Sequence, residues 1–165
     1  MTGKKHKFTL RTPEMDEAKD IQSLFIEEVE AGRMLPRKIK NIQNTIDDWI
    51  VAVTDKQVVG CVSLVYFNHS LCEVRSLAVS PDFQGNGLGS KLVNAAVDLA
   101  RERKMTRVLT LTRSSKLFQR LGFKVDRVMN YPEKVWKDCL QCPLRHQCDE
   151  VALIYDLMAD KDQSN

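Results

Sequence analysis

Apolar and polar positions change period twice in the first third of the chain, which predicts a strand followed by two helices. Phe8–Thr12 alternates apolar and polar residues, as a half-buried strand does. Thr12-Pro13-Glu14 is a typical helix start, and Gly32 is placed to end that helix. The apolar residues between them keep helical spacing: Ile21, Leu24, Phe25, Ile26 and Val29. A second, more polar helix is predicted from about residue 36 to residue 46.

The middle of the chain is rich in β-branched residues, which predicts three strands joined by short turns. These strands are Trp49–Val53, Val58–Phe67 and Cys72–Val79. Ser80-Pro81-Asp82 ends the third strand, because proline cannot continue a ladder. A long helix is predicted next from one apolar face, formed by Leu88, Leu92, Ala95, Ala96, Leu99 and Ala100.

The last third of the chain predicts three more strands and one short helix. Val108–Thr112 is strand-like, and Ser114–Leu121 forms a short helix that Gly122 ends. Two more strands, Phe123–Val125 and Val151–Leu157, lie on either side of a cysteine-bearing loop. Because no segment has the composition of an interdomain linker, a single domain over residues 1–165 is predicted, with its core at about 8–158.

Composition narrows the class of protein. The chain has 165 residues, 43% hydrophobic and 28% charged, with a net charge of +3, which is too weakly basic to argue for nucleic acid by itself. No apolar run approaches the ~20 residues of a membrane span, and no apolar stretch follows the N-terminal charges as in a secretory signal. Five cysteines, an odd number, argue against a disulfide framework. The cytosol is therefore the expected compartment.

The segment with the most specific chemistry is the turn Gln84-Gly85-Asn86-Gly87-Leu88-Gly89 between a strand and a helix. Glycines let the backbone approach a ligand closely, and the helix start presents free N–H groups to an anion such as a pyrophosphate. A glycine-rich connection without a ligand is the alternative. A Rossmann turn fits poorly, because Ser-Pro-Asp-Phe separates the strand from the glycines, and a Walker loop is excluded by the lack of Lys-Ser or Lys-Thr.

The stretch from Val74 to Gly89 resembles the acetyl-CoA signature of the GNAT acetyltransferases, whose pattern is filled by Gln84, Gly87 and Gly89. Phe118–Phe123 resembles the second marker of the family, and the order of elements fits nearly the whole chain. The resemblance implies the α/β (α+β) GNAT fold, with a mixed, mostly antiparallel sheet that is splayed in the middle and flanked by helices. It also implies acetyl-CoA as a co-substrate.

The same resemblance implies where acetyl-CoA binds. The pantetheine arm would pair with the backbone of Leu77 and Val79. The pyrophosphate would be held by backbone N–H groups of the turn and helix start, namely those of Gln84, Gly85, Gly87, Gly89 and Ser90.

Glu73 is the candidate general base, because an amine acceptor must lose a proton before it attacks the thioester. Strand alternation predicts Glu73, Arg75 and Leu77 on one face, and a solvated Glu73–Arg75 surface pair is the alternative. The family often has a tyrosine general acid in its second marker, but this chain has Phe118 there. Tyr131 is a candidate substitute.

The segment Thr112–Phe123 resembles the corresponding segment of N-acetylglutamate synthases, which also carry this phenylalanine. Gly32–Arg37 and, more loosely, Tyr131–Lys134 resemble other segments of that subfamily. The resemblance implies transfer of acetyl to the α-amino group of L-glutamate, in arginine biosynthesis. It makes Arg37 and Arg113 candidate carboxylate clamps, a role that suits arginine's bidentate charge.

Ser76 and Ser115 are further candidate substrate contacts by the same resemblance. Other acceptors stay open at this stage: a different amino acid, a polyamine or a protein N-terminus. A binding module of a different class is the third alternative, with zinc in the cysteine loop. The expected partner is a small-molecule amino acid rather than nucleic acid or membrane, and a homodimer is left open.

The loop at residues 139–148 concentrates Cys139, Cys142, His146 and Cys148. These side chains are chemically able to bind tetrahedral zinc, but a single Cys-x-x-Cys is a weak signal and His146 crowds Cys148. Buried or redox-labile thiols are the favoured interpretation, and no metal is predicted.

Overall fold

The computed structural model describes residues 6–143 and 148–159. Within it the chain divides into two compact units. The first unit contains the chain up to Ser63 together with Ser76–Ala96, and the second contains Leu64–Arg75 and the chain from Val97 onward. The long strands and the long helix pass from one unit into the other. The single-domain organisation stays a prediction.

Seven strands form one sheet in the order β1-β2-β3-β4-β5-β7-β6. Their bounds are β1 Thr9–Arg11, β2 Trp49–Thr54, β3 Gln57–Tyr66, β4 Leu71–Val79, β5 Arg107–Thr112, β6 Lys124–Asp126 and β7 Val151–Asp156. The pairs β1/β2, β2/β3, β5/β7 and β6/β7 are antiparallel, and β4/β5 is parallel. The predicted mixed, mostly antiparallel sheet is therefore confirmed.

Six α-helices lie in the described chain, most of them short. They are α1 Ala18–Ser23, α2 Ile26–Glu30, α3 Ile39–Asn44, α4 Leu88–Glu102, α5 Ser115–Arg120 and α6 Pro132–Lys134. A π-helical turn, Val135–Cys139, continues directly from α6. None of the described helices is long and apolar enough to cross a membrane.

The first predicted helix is broken into pieces, which corrects the expectation of one helix up to Gly32. A 3₁₀ turn at Met15–Glu17 leads into α1, and Leu24 and Phe25 separate α1 from α2. The Ser23 hydroxyl donates to the carbonyl of Lys19 at 2.9 Å, a bond that competes with helix continuation. Gly32 ends α2 with a φ of 71°, as predicted.

Each unit has its own apolar core. In the first unit the core contains Phe25 and Trp49, whose ring centroids lie 6.4 Å apart, together with Ile21 and Ile42. In the second unit Leu71, Leu109, Tyr131 and Ala152 form the corresponding cluster. Helix α4 buries a face slightly rotated from the predicted one: Leu88, Leu92, Val93, Ala96, Val97 and Ala100.

The parallel register of β4 with β5 covers only the first part of β4. Leu71–Glu73 pair with Arg107–Leu109, and β4 then continues to Val79. Ser76, inside this continuation, has a φ of 60°, a conformation that side chains other than glycine rarely adopt. The regular alternation predicted for Glu73, Arg75 and Leu77 is therefore interrupted between Arg75 and Leu77.

Candidate functional site

The glycine turn of the first unit has an open backbone that leads into α4. Gly85 and Gly87 have φ of 80° and 77°, and a Cβ added to either would find nothing within 4 Å. Lys91 N–H donates to the carbonyl of Gly87 at 3.2 Å, which marks the first hydrogen bond of α4. The N–H groups of Leu88, Gly89 and Ser90 precede that bond and belong to the first turn, whose donors lack intrahelical partners. The turn thus fits an anion such as a pyrophosphate.

Gln84 forms two hydrogen bonds to neighbouring backbone carbonyls, and its predicted contact with the pyrophosphate stays a prediction. Its backbone N–H donates to the carbonyl of Pro81 at 3.4 Å, inside the preceding 3₁₀ turn Pro81–Phe83. Its side-chain Nε2 donates to the Val79 carbonyl at 2.9 Å. The strand end is fixed further by Ser80 N–H, which donates to the Val59 carbonyl at 2.8 Å. Gln84 therefore braces the turn against the end of β4.

A network of four charged side chains surrounds the candidate base in the second unit. Glu73 is buried, with 3% of its side chain exposed. The Arg75 guanidinium donates to Glu73 Oε2 at 2.9 Å, and Lys134 Nζ lies 3.1 Å and 3.0 Å from Glu73 Oε1 and Oε2. The Glu73–Arg75 pair of the alternative interpretation is present, but it is buried rather than a solvated surface pair.

Asp138 completes this network, which we call the charge ring (Glu73, Arg75, Lys134 and Asp138). Asp138 Oδ2 lies 2.7 Å from the Arg75 guanidinium and 3.2 Å from Lys134 Nζ. Burial alone would raise the pKa of Asp138, but Arg75 and Lys134 hold it below its ordinary value. Burial likewise opposes the charge of Arg75, yet Glu73 and Asp138 raise the pKa of its guanidinium.

Sequence reasoning missed Lys134 and Asp138. The available signal was their i,i+4 spacing, which places a lysine and an aspartate on one face of a helical segment. That signal does not reveal the partner Glu73, which lies 61 residues away along the chain.

The strand position Ser76 belongs to the first unit. Its side chain is buried, and its hydroxyl Oγ has no hydrogen-bond partner within the described part of the chain. Its carbonyl accepts from Cys61 Sγ at 3.4 Å. A buried, unpartnered hydroxyl costs free energy, so this side chain is available to a polar group of a ligand.

The two candidate arginine clamps belong to different units. Arg37, in the first unit, is half-buried, and its carbonyl accepts from Gln22 Nε2 at 2.7 Å, which fixes the backbone there. Arg113, in the second unit, is ion-paired with Asp149 at 2.6 Å and with Glu150 at 3.4 Å. Burial raises the pKa of Glu150, and Arg113 opposes that shift. Ser115, two residues after Arg113, is the half-buried first residue of α5.

Comparison with known proteins decides the family. The sequence model of the Acetyltransferase (GNAT) family matches residues 15–123. This chain belongs to the GNAT acetyltransferase family. It is therefore an N-acetyltransferase, and acetyl-CoA is its co-substrate.

Relatives of this GNAT chain include an uncharacterized N-acetyltransferase of Chlorobaculum tepidum, 39% identical over 126 residues that make up 76% of this chain and 81% of the relative. An amino-acid acetyltransferase of Neisseria meningitidis is 32% identical over 111 residues, 66% of this chain. The match covers only 26% of the length of that Neisseria protein.

Solved structures show the same GNAT fold. The N-acetylglutamate synthase from Neisseria gonorrhoeae, complexed with coenzyme A and N-acetyl-glutamate, has a TM-score of 0.79 at 23% identity and covers 94% of this chain and 36% of its own. A Mycobacterium tuberculosis protein in complex with CoA has a TM-score of 0.77 at 21% identity, over 90% of this chain and 99% of its own.

Two aromatic residues of this GNAT chain were considered for the general acid, Phe118 and Tyr131, and neither has a free hydroxyl. Phe118 is buried and packs edge-on against Phe123, with ring centroids 5.2 Å apart. The Tyr131 hydroxyl donates to Asp126 Oδ2 at 2.6 Å. Burial and that hydrogen bond both raise the pKa of Tyr131 above its ordinary value. Tyr131 as general acid therefore stays a prediction, and its proton is engaged with Asp126.

The cysteine loop of this GNAT chain brings no metal cluster together within residues 6–143 and 148–159. Cys139 and Cys142 are half-buried free thiols and Cys148 is an exposed one. Burial raises the pKa of Cys139. His146 lies outside the described residues. Cys61 and Cys72 are buried in strands, as predicted, and burial raises the pKa of Cys72 to about 12.

Proposed function

We propose that this protein transfers the acetyl group of acetyl-CoA to the α-amino group of an amino acid, with L-glutamate as the acceptor. The support for an amino-acid acceptor is the 32% identity to amino-acid acetyltransferases of Neisseria meningitidis and Mycobacterium tuberculosis. The structural likeness to N-acetylglutamate synthase supports the fold needed for this reaction. Arginine biosynthesis is the pathway that this activity would serve.

The observation that carries the proposal is the buried carboxylate of Glu73 on β4. It lies four residues before Leu77, on the strand that runs on toward the glycine turn. A carboxylate fixed by Arg75 and Lys134 at 2.9 Å and 3.0 Å is preorganised, since it needs no reorientation to accept a proton. A carboxylate positioned in this way can take a proton from the acceptor directly or through a water.

The proposed reaction forms an amide bond and releases coenzyme A. Bound acetyl-CoA supplies the thioester carbonyl. Glu73 takes one proton from the acceptor's ammonium, directly or through a water, and the freed nitrogen lone pair forms the new amide bond. The carbon–sulfur bond breaks, and the departing thiolate takes up the second proton that the acceptor nitrogen loses. The products are the amide and the coenzyme A thiol, and Glu73 then returns its proton to solvent. The glycine turn serves to hold the nucleotide end of the co-substrate through its backbone N–H groups.

Recognition of an acidic acceptor is proposed for Arg37 and Arg113, with Ser76 and Ser115 as further contacts. Arg113 already holds the carboxylates of Asp149 and Glu150, at 2.6 Å and 3.4 Å. This site is thus suited to carboxylates, and an acceptor carboxylate would exchange with Asp149, whose side chain is 67% exposed. The buried, unpartnered hydroxyl of Ser76 is suited to a polar substrate group.

We also propose that the protein works in the cytosol on a small molecule, without nucleic acid or membrane. The five cysteines are free thiols, as a reducing compartment requires. A homodimer is part of the same proposal.

The test is Glu73→Gln with L-glutamate as the acceptor. Removing the base should lower kcat by about 10²- to 10⁴-fold, because the amine would then have to lose its proton to solvent. The Kd of acetyl-CoA, measured by calorimetry, should stay within about two-fold, since the turn is elsewhere in the chain. Steady-state CoA release gives kcat.

The matched control is Glu102→Gln, which makes the same change at an exposed position on α4. It should leave both constants unchanged. A Glu73→Gln variant that binds acetyl-CoA normally and keeps its turnover would remove Glu73 as the base.

A further inference from the structure

The charge ring is closed, because each cation contacts both carboxylates. Arg75 lies 2.9 Å from Glu73 and 2.7 Å from Asp138, and Lys134 lies 3.0 Å and 3.2 Å from the same two residues. Glu73 and Arg75 come from β4, and Lys134 and Asp138 come from α6 and the π-helical turn that follows it. Each of the two segments thus supplies one negative and one positive charge. We propose that Lys134 is the positioning residue that fixes the Glu73 carboxylate for its role as the base, and that Asp138 counterbalances the charge of Lys134. This inference rests on the proposed role of Glu73.

Burial is the first argument that Lys134 serves the site. Its side chain is 8% exposed, and its ammonium gives its hydrogen bonds to Glu73 and Asp138. Removing a lysine from water is costly, and an apolar side chain of similar volume generally serves stability as well or better. A buried ammonium on both oxygens of one carboxylate instead fixes the orientation and the charge of that carboxylate.

Charge balance is the second argument. The ring sums to zero while both carboxylates are ionised, and it carries one excess positive charge after Glu73 accepts a proton. Lys134 and Asp138 act on Glu73 with opposite signs, so their removal must change the reaction's pH dependence in opposite directions.

The variants used in the test must leave the other titratable groups near Glu73 unchanged. On β4 these are Arg75 and Cys72, and on the π-helical turn they are Asp138 and Cys139. Glu150, in the segment before β7, also interacts with Glu73 and Lys134. The pKa values of Cys72 and Cys139 are raised by burial, so both thiols stay neutral through the acidic range.

The experiment is the pH profile of kcat/KM for Lys134→Met, Lys134→Arg and Asp138→Asn. Lys134→Met removes the cation that contacts both carboxylate oxygens of Glu73. The acidic limb of its pH profile should therefore move up by about one to three pH units. Its activity loss should therefore shrink as pH rises. Lys134→Arg should keep the acidic limb of the kcat/KM profile where the wild type has it. Asp138→Asn should move that acidic limb to lower pH.

Lys137→Met is the matched control, because it removes the same charge three residues later. Lys137 Nζ contacts the Tyr66 carbonyl at 3.4 Å and the Phe67 ring rather than Glu73. Its profile should superimpose on that of the wild type. A Lys134→Met limb that coincides with the wild-type limb, or a uniform loss at every pH, would assign Lys134 a structural role and overturn the proposal.

A readout without turnover separates this proposal from the proposed function. The ¹³C resonance of the Glu73 carboxyl, assigned with Glu73→Gln, can be titrated in each variant. Opposite movements of its midpoint in Lys134→Met and Asp138→Asn support the ring even where Glu73→Gln proves active. An unmoved midpoint in both overturns the ring even where Glu73 is the base. Lys134→Arg and Asp138→Asn keep a charged ring in case Lys134→Met does not fold.

Discussion

Gly87 combines two properties at a single residue: a left-handed φ of 77° and open space in the direction of an added Cβ. Gly32 has the same two properties, with a φ of 71°, but it lies after α2 rather than in the turn. Any side chain at either position must therefore bear similar backbone strain, typically 1–2 kcal/mol. Only at Gly87 would the side chain also occupy the space proposed for the pyrophosphate.

This pair gives a residue-scale prediction. Gly87→Val and Gly32→Val should lower the free energy of unfolding by similar amounts, about 1–3 kcal/mol. Only Gly87→Val should weaken coenzyme A binding, by at least about ten-fold, which calorimetry with coenzyme A measures directly. Equal coenzyme A affinity in the two variants would show that the turn does not hold the co-substrate.

Residues with local roles could be predicted from the sequence, and residues with distant partners could not. The glycines Gly32, Gly85 and Gly87 follow from neighbouring residues, and the structure gives these three the left-handed φ. Glu73 was identified through the family resemblance, and its base role is still a prediction. Lys134 was not identified, because its pairing with Glu73 joins positions 61 residues apart.

At the scale of elements, periodicity predicted which segments are helices and strands but not where they bend. Ser23 and the buried Phe25 interrupt the first helix, and Ser76 interrupts the alternation of β4. Helix α4 illustrates close packing within the first unit. A Cβ at Gly60 of β3 would lie 2.9 Å from Leu92 Cδ1 and 3.3 Å from the Ala78 carbonyl oxygen. A glycine here lets the helix approach the sheet.

This contact gives the element-scale prediction. Gly60→Ala should destabilise the protein by about 1–3 kcal/mol, because it overpacks the contact between β3 and α4. Leu92→Ala alone should cost about 2–5 kcal/mol through the cavity it leaves. The atom nearest to the new methyl is Cδ1 of Leu92, which Leu92→Ala removes. The double variant should therefore be more stable than the sum of the two single costs implies. Chemical denaturation measures all four proteins, and strict additivity would contradict the packing argument.

At the scale of the whole molecule, the sheet order depends on pairings that periodicity cannot give. Strand β7 lies between β5 and β6, with antiparallel registers on both sides. The mixed sheet was predicted from two motifs that resemble a known family, and family membership and fold are confirmed. The acceptor is proposed to be recognised by a few side chains, such as Arg37 and Arg113, and such residues can change while the fold is kept. Glutamate therefore has to be tested directly.

The most direct test is CoA release from acetyl-CoA by the purified chain, measured in parallel with single amino acids, putrescine and a short peptide. L-Glutamate should give the highest kcat/KM, and mass spectrometry should identify N-acetylglutamate as the product. L-Glutamine is the matched control, because it differs only in the side-chain charge that Arg37 and Arg113 are proposed to recognise. Preference for putrescine or the peptide over every amino acid would contradict the proposed function.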